Sequence, residues 1–236
     1  MKILITAPLR QEPDIFEAYQ EGLDRLEVPE GCEVSRFFLV NDCKGVIPHI
    51  RNAKYEVIET GEKYEKTVND HIWTMDLMWK MGEMRNRTIR EMLDGGFDYW
   101  FSVDTDIVLH PQTLRTLIEA DKDIVSEIFW TQAPNGMWWC NAWKCDQSTG
   151  FDNEWRKPGL YKVGMTGALT LVKRKVFEAG VSYAKIPNIN MALRGEDRHF
   201  CVRAACAGFE MWIDSHYPAR HLYTRQLYEE YMAERR

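Results

Sequence analysis

The sequence predicts an α/β chain built on a mainly parallel sheet, and three observations lead there. Short hydrophobic runs alternate with stretches of helical period, the pattern of strands joined by helical crossovers. The first, second and fourth of these runs each end in polar residues: Arg10, Asn41-Asp42, and Asp104 with Asp106. In such sheets ligands bind outside the carboxyl ends of the strands, so these polar ends should converge on one crevice. The third observation is local. Tyr99-Trp100-Phe101-Ser102-Val103 reads as a buried strand, and two carboxylates one residue apart follow where it runs out.

Residues 2–6 form the first strand, ending in a loop with two prolines, Pro8 and Pro13. A helix starts at Asp14, with Ile15, Phe16, Tyr19, Leu23 and Leu26 near the helical period, and Pro29 and Gly31 stop it. Arg36–Val40 is the second strand and Tyr55–Glu59 the third. A helical region follows whose Met75, Met78, Trp79, Met81, Ile89, Met92 and Leu93 read as core packing, with Gly95-Gly96 as its stop. After the Asp-bearing strand, Pro111 opens a short helix over 112–120, and Asp123–Phe129 is another strand. From Trp130 to Lys157 the order is lost, and five tryptophans lie among Gly, Pro and Asn. That segment reads either as a sugar-stacking or acceptor surface, or as a loop pinned by its aromatic rings. Residues 161–172 read as a strand pair or a kinked strand, with Gly164 and Gly167 permitting close backbone approach. Gly195–Ala205 is a helix beginning in acidic residues, Met211–Asp214 a last short strand, and the tail from Thr224 a charged, solvated helix.

Composition narrows the function. The chain has 236 residues, 45% hydrophobic and 28% charged, enough for one large domain of ordinary globular character. Its 30 basic and 36 acidic side chains give a net charge of −6, which does not indicate a nucleic-acid partner. No apolar run is long enough to span a bilayer, and the N-terminus reads as a strand rather than a signal peptide. A cytoplasmic, reducing location with free thiols follows as the expectation for the six cysteines. Cys140/Cys145 and Cys201/Cys206 share a C-x4-C spacing that could suggest zinc. A five-residue offset on a helix, however, puts Cys201 and Cys206 on different faces, so buried structural thiols are the better reading.

The carboxylate pair carries the chemistry. Alternate residues of a strand share a face, so Asp104 and Asp106 are expected to point the same way and repel. A divalent cation with oxygen ligands relieves that repulsion. The alternative, that they merely cap the next helix, fits poorly, because a helix starting at Pro111 is too far on for Asp106 to be its N-cap.

Four motifs in order then resemble the GT-A glycosyltransferases of the family 2 type over nearly the whole chain. They are the first strand with its loop and a later strand ending in Asp42, Arg85-Asn86 running on to Asp104-Thr105-Asp106, Gly164–Val172 followed by Lys173-Arg174, and Gly195-Glu196-Asp197 followed by a later His. The resemblance implies a single GT-A (Rossmann-like) domain over 1–236, with a mixed, mainly parallel sheet flanked by helices. About 1–110 would be its nucleotide-sugar-binding half and about 111–236 its acceptor-binding half. It implies that Asp106 binds the metal directly, with Asp104 on the ribose or the metal's water shell and His221 as third ligand, His216 being its rival. Ala7, Pro8, Arg10, Asp42, Arg85, Asp104 and Thr105 would hold the nucleotide. Asp197 would be the catalytic base, with Glu196 orienting the acceptor. The first-strand loop lacks the family's P-x-Y-N-E pattern, which leaves the donor open. No Q-x-x-R-W follows the E-D pair, which argues against a processive polymer synthase.

The implied reaction is a metal-dependent (Mn2+ or Mg2+), non-processive hexosyl-type transfer. It runs from a nucleotide-diphosphate sugar to an acceptor hydroxyl on a glycan, small molecule or modified polymer. A metal suits the charge that accumulates on a diphosphate leaving group, and one carboxylate base opposite it suits inversion. A nucleotidyltransferase on a related sheet and a non-catalytic nucleotide-sugar-binding module are the alternatives. The first is opposed by the absence of glycine from Pro8–Pro13, the second by intact Asp104, Asp106 and Asp197.

Overall fold

The computed structural model describes residues 1–61, 64, 72–132, 136–144, 153–189 and 195–235. The first part of the chain runs β1 (Lys2–Leu9), α1 (Pro13–Asp24), β2 (Glu33–Asn41), β3 (Lys54–Ile58), α2 (Met75–Asp94), β4 (Tyr99–Ser102), β5 (Ile107–Val108) and α3 (Thr113–Glu119). It continues through β6 (Ile124–Gln132), β7 (Trp138–Cys140), β8 (Ala142–Trp143), β9 (Leu160–Val163), β10 (Met165–Thr166) and β11 (Thr170–Lys173). The last elements are α4 (Arg174–Glu178), α5 (Glu196–Cys206), β12 (Met211–His221) and α6 (Arg225–Glu234). Short 3-10 turns at Lys44–His49 and Asn153–Arg156 complete the set.

One sheet holds the order β3-β2-β1-β4-β11-β6-β12-β5. β3, β2, β1 and β4 pair in parallel, as do β6 and β12, while β11 is inserted antiparallel between β4 and β6. The expected mainly parallel, mixed sheet is therefore present as one α/β domain. β1 is buried on both faces, as a central parallel strand must be. Its Ile3, Ile5, Ala7 and Leu9 join Phe16, Tyr19 and Leu23 of α1 on one side. Leu4 packs with Met84, Ile89 and Met92 of α2 on the other. Local chemistry sets the helix ends: Pro13 occupies the first turn of α1, and Thr74 caps α2 by accepting from the Leu77 amide at 3.2 Å. No helix among the described residues is long and apolar enough to cross a membrane.

Four expectations change. The last strand does not stop at Asp214 but runs to His221, with a register shift between Asp214 and Ala219; Pro218, which has no N–H to donate, lies inside that irregularity. The tail helix α6 is not simply solvated, since Tyr231 is buried against Ile15, Ala18, Val108 and Leu222. Residues 161–172 form three short strands, broken at Gly164 and at Gly167-Ala168. The Trp-rich segment contains β7 and β8, with Trp155 buried and Trp138 and Trp139 exposed. Cys201 is buried and Cys206 exposed on α5, as the five-residue offset requires, while Cys145 lies outside the described residues.

Candidate active site

The carboxyl ends of β1, β2 and β4 open onto one cleft. A cavity of about 90 Å3 there is lined by Pro8, Arg10 and Gln11 after β1, Asn41 of β2, and Asp104, Thr105 and Asp106 after β4. Its apolar wall comes from α2 (Leu77, Met81, Met84) together with Tyr64 and Trp73. Met81, which the periodicity assigned to the core, is thus part of a cleft wall. Ala7, expected to touch the nucleotide, is fully buried in the core beneath it.

Asp42 stands beside this cleft with a left-handed backbone (φ 48°) that short polar side chains tolerate. Its carboxylate accepts from the backbone of Thr60 (2.9 Å) and Gly61 (3.1 Å), from Asn41 Nδ2 (3.0 Å) and from the Thr60 hydroxyl, with Arg10 Nη1 at 3.8 Å. The Thr60 hydroxyl, more than any other group, holds its pKa below the usual carboxylate value. Four donors occupy the acceptor capacity of one carboxylate, so Asp42 anchors the 60–61 turn beside the cleft.

Beyond Ser102 the chain leaves the strand, yet Asp104 and Asp106 remain the more exposed residues of the loop, with Val103 and Thr105 buried, and both line the cleft, each with its own partner. Asp106 Oδ2 lies 3.4 Å from His221 Nε2, and the Asp106 carbonyl accepts from the Leu222 amide at 2.7 Å. His221 is oriented by Thr131 Oγ1 at 2.6 Å from Nδ1 and by the Phe129 ring. Pairing of His221 with Ile107 brings it to this loop, which the longer β12 makes possible. His216 turns instead to Asp214, at 2.9 Å, and is 44% exposed.

Asp104 faces Arg85, which is 3% exposed and reaches three elements. Its Nη1 donates to Ser102 Oγ (2.9 Å), Nη2 to Asp104 Oδ2 (3.2 Å) and Nε to Glu196 Oε1 (3.4 Å), with Asp197 Oδ1 4.0 Å from Nε. Arg85, expected among the nucleotide contacts, is therefore the buried centre of a carboxylate cluster and is not part of the cavity lining. Glu196 and Asp197 open α5. Burial raises both pKa values; the neighbouring Asp197 charge adds to the shift at Glu196, and Arg85 opposes it at both. Gly167 fits against Asp197 so closely that a Cβ there would lie 2.5 Å from Oδ2. Asn141 holds that turn, accepting from the Gly167 amide through its carbonyl and donating from Nδ2 to the Gly167 carbonyl.

The donor set suits a hard divalent ion. Among the described residues no group of three or more His, Cys, Asp or Glu side chains is arranged to hold one, so the expected trio of Asp104, Asp106 and His221 is not gathered into a cluster. Asp106 and His221 are adjacent, while Asp104 Oδ1 is 3.1 Å from Arg85 Nη2. One or two protein ligands plus substrate phosphates is how such ions are commonly bound at phosphate sites. Sequence reasoning missed Thr131, Ser102, Asn141 and the aromatic cleft wall. None carries a motif of its own, and only the fold brings them to the site.

No family model and no curated protein matches the chain. Solved structures do. The mannosyltransferase PcManGT from Pyrobaculum calidifontis, in complex with GDP-Man and Mn2+, superposes with a TM-score of 0.58 at 13% identity, over 99% of this chain and 60% of that one. S. aureus TarS 1-349 in complex with UDP gives 0.56 at 11%, covering 93% and 59%. Its complex with UDP-GlcNAc gives 0.53 at 11%, covering 93% and 57%. The chain thus spans about three fifths of the length of these structures. With its mixed central sheet and a likeness that runs along nearly all of its length, the chain has the GT-A fold.

Proposed function

We propose that this chain transfers a sugar from a nucleoside-diphosphate sugar to an acceptor hydroxyl. The reading is carried by one juxtaposition: a cleft at the strand ends, an Asp106–His221 pair beside it, and a partly buried Asp197 carboxylate against Gly167. The similar structures with GDP-Man and Mn2+, and with UDP-GlcNAc, support the choice of donor class.

In this reading Pro8, Arg10, Asn41 and Thr105 receive the nucleotide, and its flat base rests on the Tyr64, Trp73 and methionine wall. Asp106 and His221 would hold Mn2+ or Mg2+, which as a Lewis acid would offset the charge on the leaving diphosphate. Asp197 takes the proton from the acceptor hydroxyl. The acceptor oxygen then bonds the anomeric carbon, and the bond from that carbon to the diphosphate breaks with its electron pair going to the phosphate oxygen. Burial makes Asp197 more basic than a surface carboxylate, while Arg85 nearby keeps it ionisable. One base opposite the leaving group makes the transfer inverting. In this reading about residues 1–110 serve the donor and about 111–236 the acceptor, and the transfer is of a hexosyl group without processive extension.

A thermal-shift screen of nucleoside diphosphates and their sugars, with and without Mn2+, tests this. A ligand present at about 100 times its Kd stabilises the fold by about 2.7 kcal/mol. Stabilisation by one UDP, GDP or dTDP class that depends on metal is the expected result. No metal-linked shift with any of them would remove the transferase reading and leave the fold.

A further inference from the structure

We infer that Arg85 is a positioning residue, one that fixes the donor-side Asp104 relative to the acceptor-side Glu196 and Asp197. The inference rests on the transferase reading for its purpose but not for its geometry. α2 supplies Arg85, the strand β4 and the loop after it supply Ser102 and Asp104, and α5 supplies Glu196 and Asp197. Its three nitrogens go to three different partners, at 2.9, 3.2 and 3.4 Å. A guanidinium is a rigid planar fork, so partners bonded to its separate nitrogens are held at set angles as well as distances. The approach of the helices is fixed too. Gly82 of α2 lies so near α5 that a Cβ would fall 2.8 Å from the Tyr183 carbonyl and 3.1 Å from Glu196 Cβ.

Stability alone is a poor reason for this cluster. A buried ion pair returns little more than its desolvation costs, and here Arg85, with Arg198 acting on Asp197 as well, faces three carboxylates. Arg85 Nη2 also lies 3.1 Å from Asp104 Oδ1, and the buried Asp197 Oδ1 has no hydrogen bond and only the more distant Nε at 4.0 Å. Those are the two carboxylates that face donor and acceptor. A displacement of about 1 Å between such groups can cost a hundredfold in rate, so a rigid link between them has a catalytic purpose.

The test separates placement from binding. Arg85→Lys keeps the charge but offers a single ammonium in place of the fork. Its turnover is read as hydrolysis of UDP-, GDP- and dTDP-hexoses, with water as acceptor. The expected result is a folded protein with donor KM within about threefold of the parent and kcat lower by about a hundredfold. Unchanged kcat overturns the inference, and so does a loss of donor affinity as large as the loss of kcat, which would make Arg85 a nucleotide contact. Should Arg85→Lys fail to fold, Ser102→Ala removes one anchor of the fork and leaves every charge in place. A roughly tenfold fall in kcat at constant KM is expected there, and parental kcat overturns the proposal. A double-mutant cycle of Asp104→Asn and Glu196→Gln in urea unfolding needs no turnover at all. Linked through Arg85, their effects on the unfolding constant should depart from additivity by about threefold or more, whereas additive effects break the link. If the parent hydrolyses no donor while the cycle shows coupling, the transferase reading fails and the linkage stands.

Discussion

The carboxyl of Glu127 is fully buried on β6 and lies directly across the ladder from Asp214 of β12, itself buried. Burial first, and the Asp214 charge second, push its pKa from 4.5 up to about 10. The folded chain therefore keeps this proton at neutral pH while the unfolded chain releases it. Folding stability from this group is full below pH 4.5 and declines as pH rises toward 10. Glu127→Gln does not ionise in either state, so it should gain about 1–3 kcal/mol over the parent at pH 7 and almost nothing at pH 4. Urea unfolding at the two pH values decides; an equal effect at both would mean that ionisation is not the cause. The two histidines differ in the same residue-level way. His221→Ala should weaken Mn2+-dependent nucleotide stabilisation at least tenfold, because Asp106 loses its neighbour, whereas His216→Ala should change it by less than about twofold. The reverse order in a thermal-shift titration would exchange their roles. That His221 has Thr131 behind its Nδ1 is the kind of support metal-binding imidazoles commonly have.

At the scale of elements, what could be read depended on whether period or pairing carried the information. β1, α1, β2 and α2 announce themselves by hydrophobic period, and their observed bounds lie close to the expected ones. β12 did not, because Pro218 and the polar His216-Tyr217 stretch interrupt the alternation that marks a strand; only pairing with β6 and β5 reveals its length. Asp104 and Asp106 show what a period of two can and cannot say. It placed both on the cleft side of the chain, and both line that cleft, but it did not reveal their separate partners, Arg85 and His221. Gly164 and Gly167 were legible as places of close approach, though not which group approaches. It is Asp197 at Gly167, and that contact is testable. Gly167→Ala would put a methyl 2.5 Å from Asp197 Oδ2, forcing the carboxylate aside. Donor hydrolysis should fall about ten- to a hundredfold with only a small loss of thermal stability, and a variant of parental rate would show that Asp197 need not stay where it is.

For the whole molecule, the alternation of strands and helices was enough to place three polar strand ends in one cleft, the inference that survives most directly in the structure. The reversed direction of β11 was not legible, since a strand of only four residues carries no sign of which neighbour it will take. Nor was the role of the C-terminal helix. Its charges suggested solvent, yet Tyr231 sits against Ile15 and Ala18 of α1 and Val108 of β5, tying the end of the chain to both. Arg225 adds ion pairs to Glu12 and Asp14, and Arg235 to Glu21. Tyr231→Ala should then destabilise the fold by about 2–4 kcal/mol in urea unfolding, against well under 1 kcal/mol for a truly solvated helix.

The bond from the Leu222 amide to the Asp106 carbonyl gives the cleft a built-in gauge. It is short, it is buried, and it spans the junction between the loop after β4 and the end of β12. The ladder beside it is only two residues long, Arg220–Val108 and His221–Ile107, so local opening there should need far less free energy than global unfolding. Deuterium uptake at this one amide should therefore be measurable in the free protein and, if the proposed binding at Asp106 and His221 holds, slow severalfold on addition of a nucleotide with Mn2+. A single exchanging proton would report occupancy of the cleft without a sugar ever being transferred.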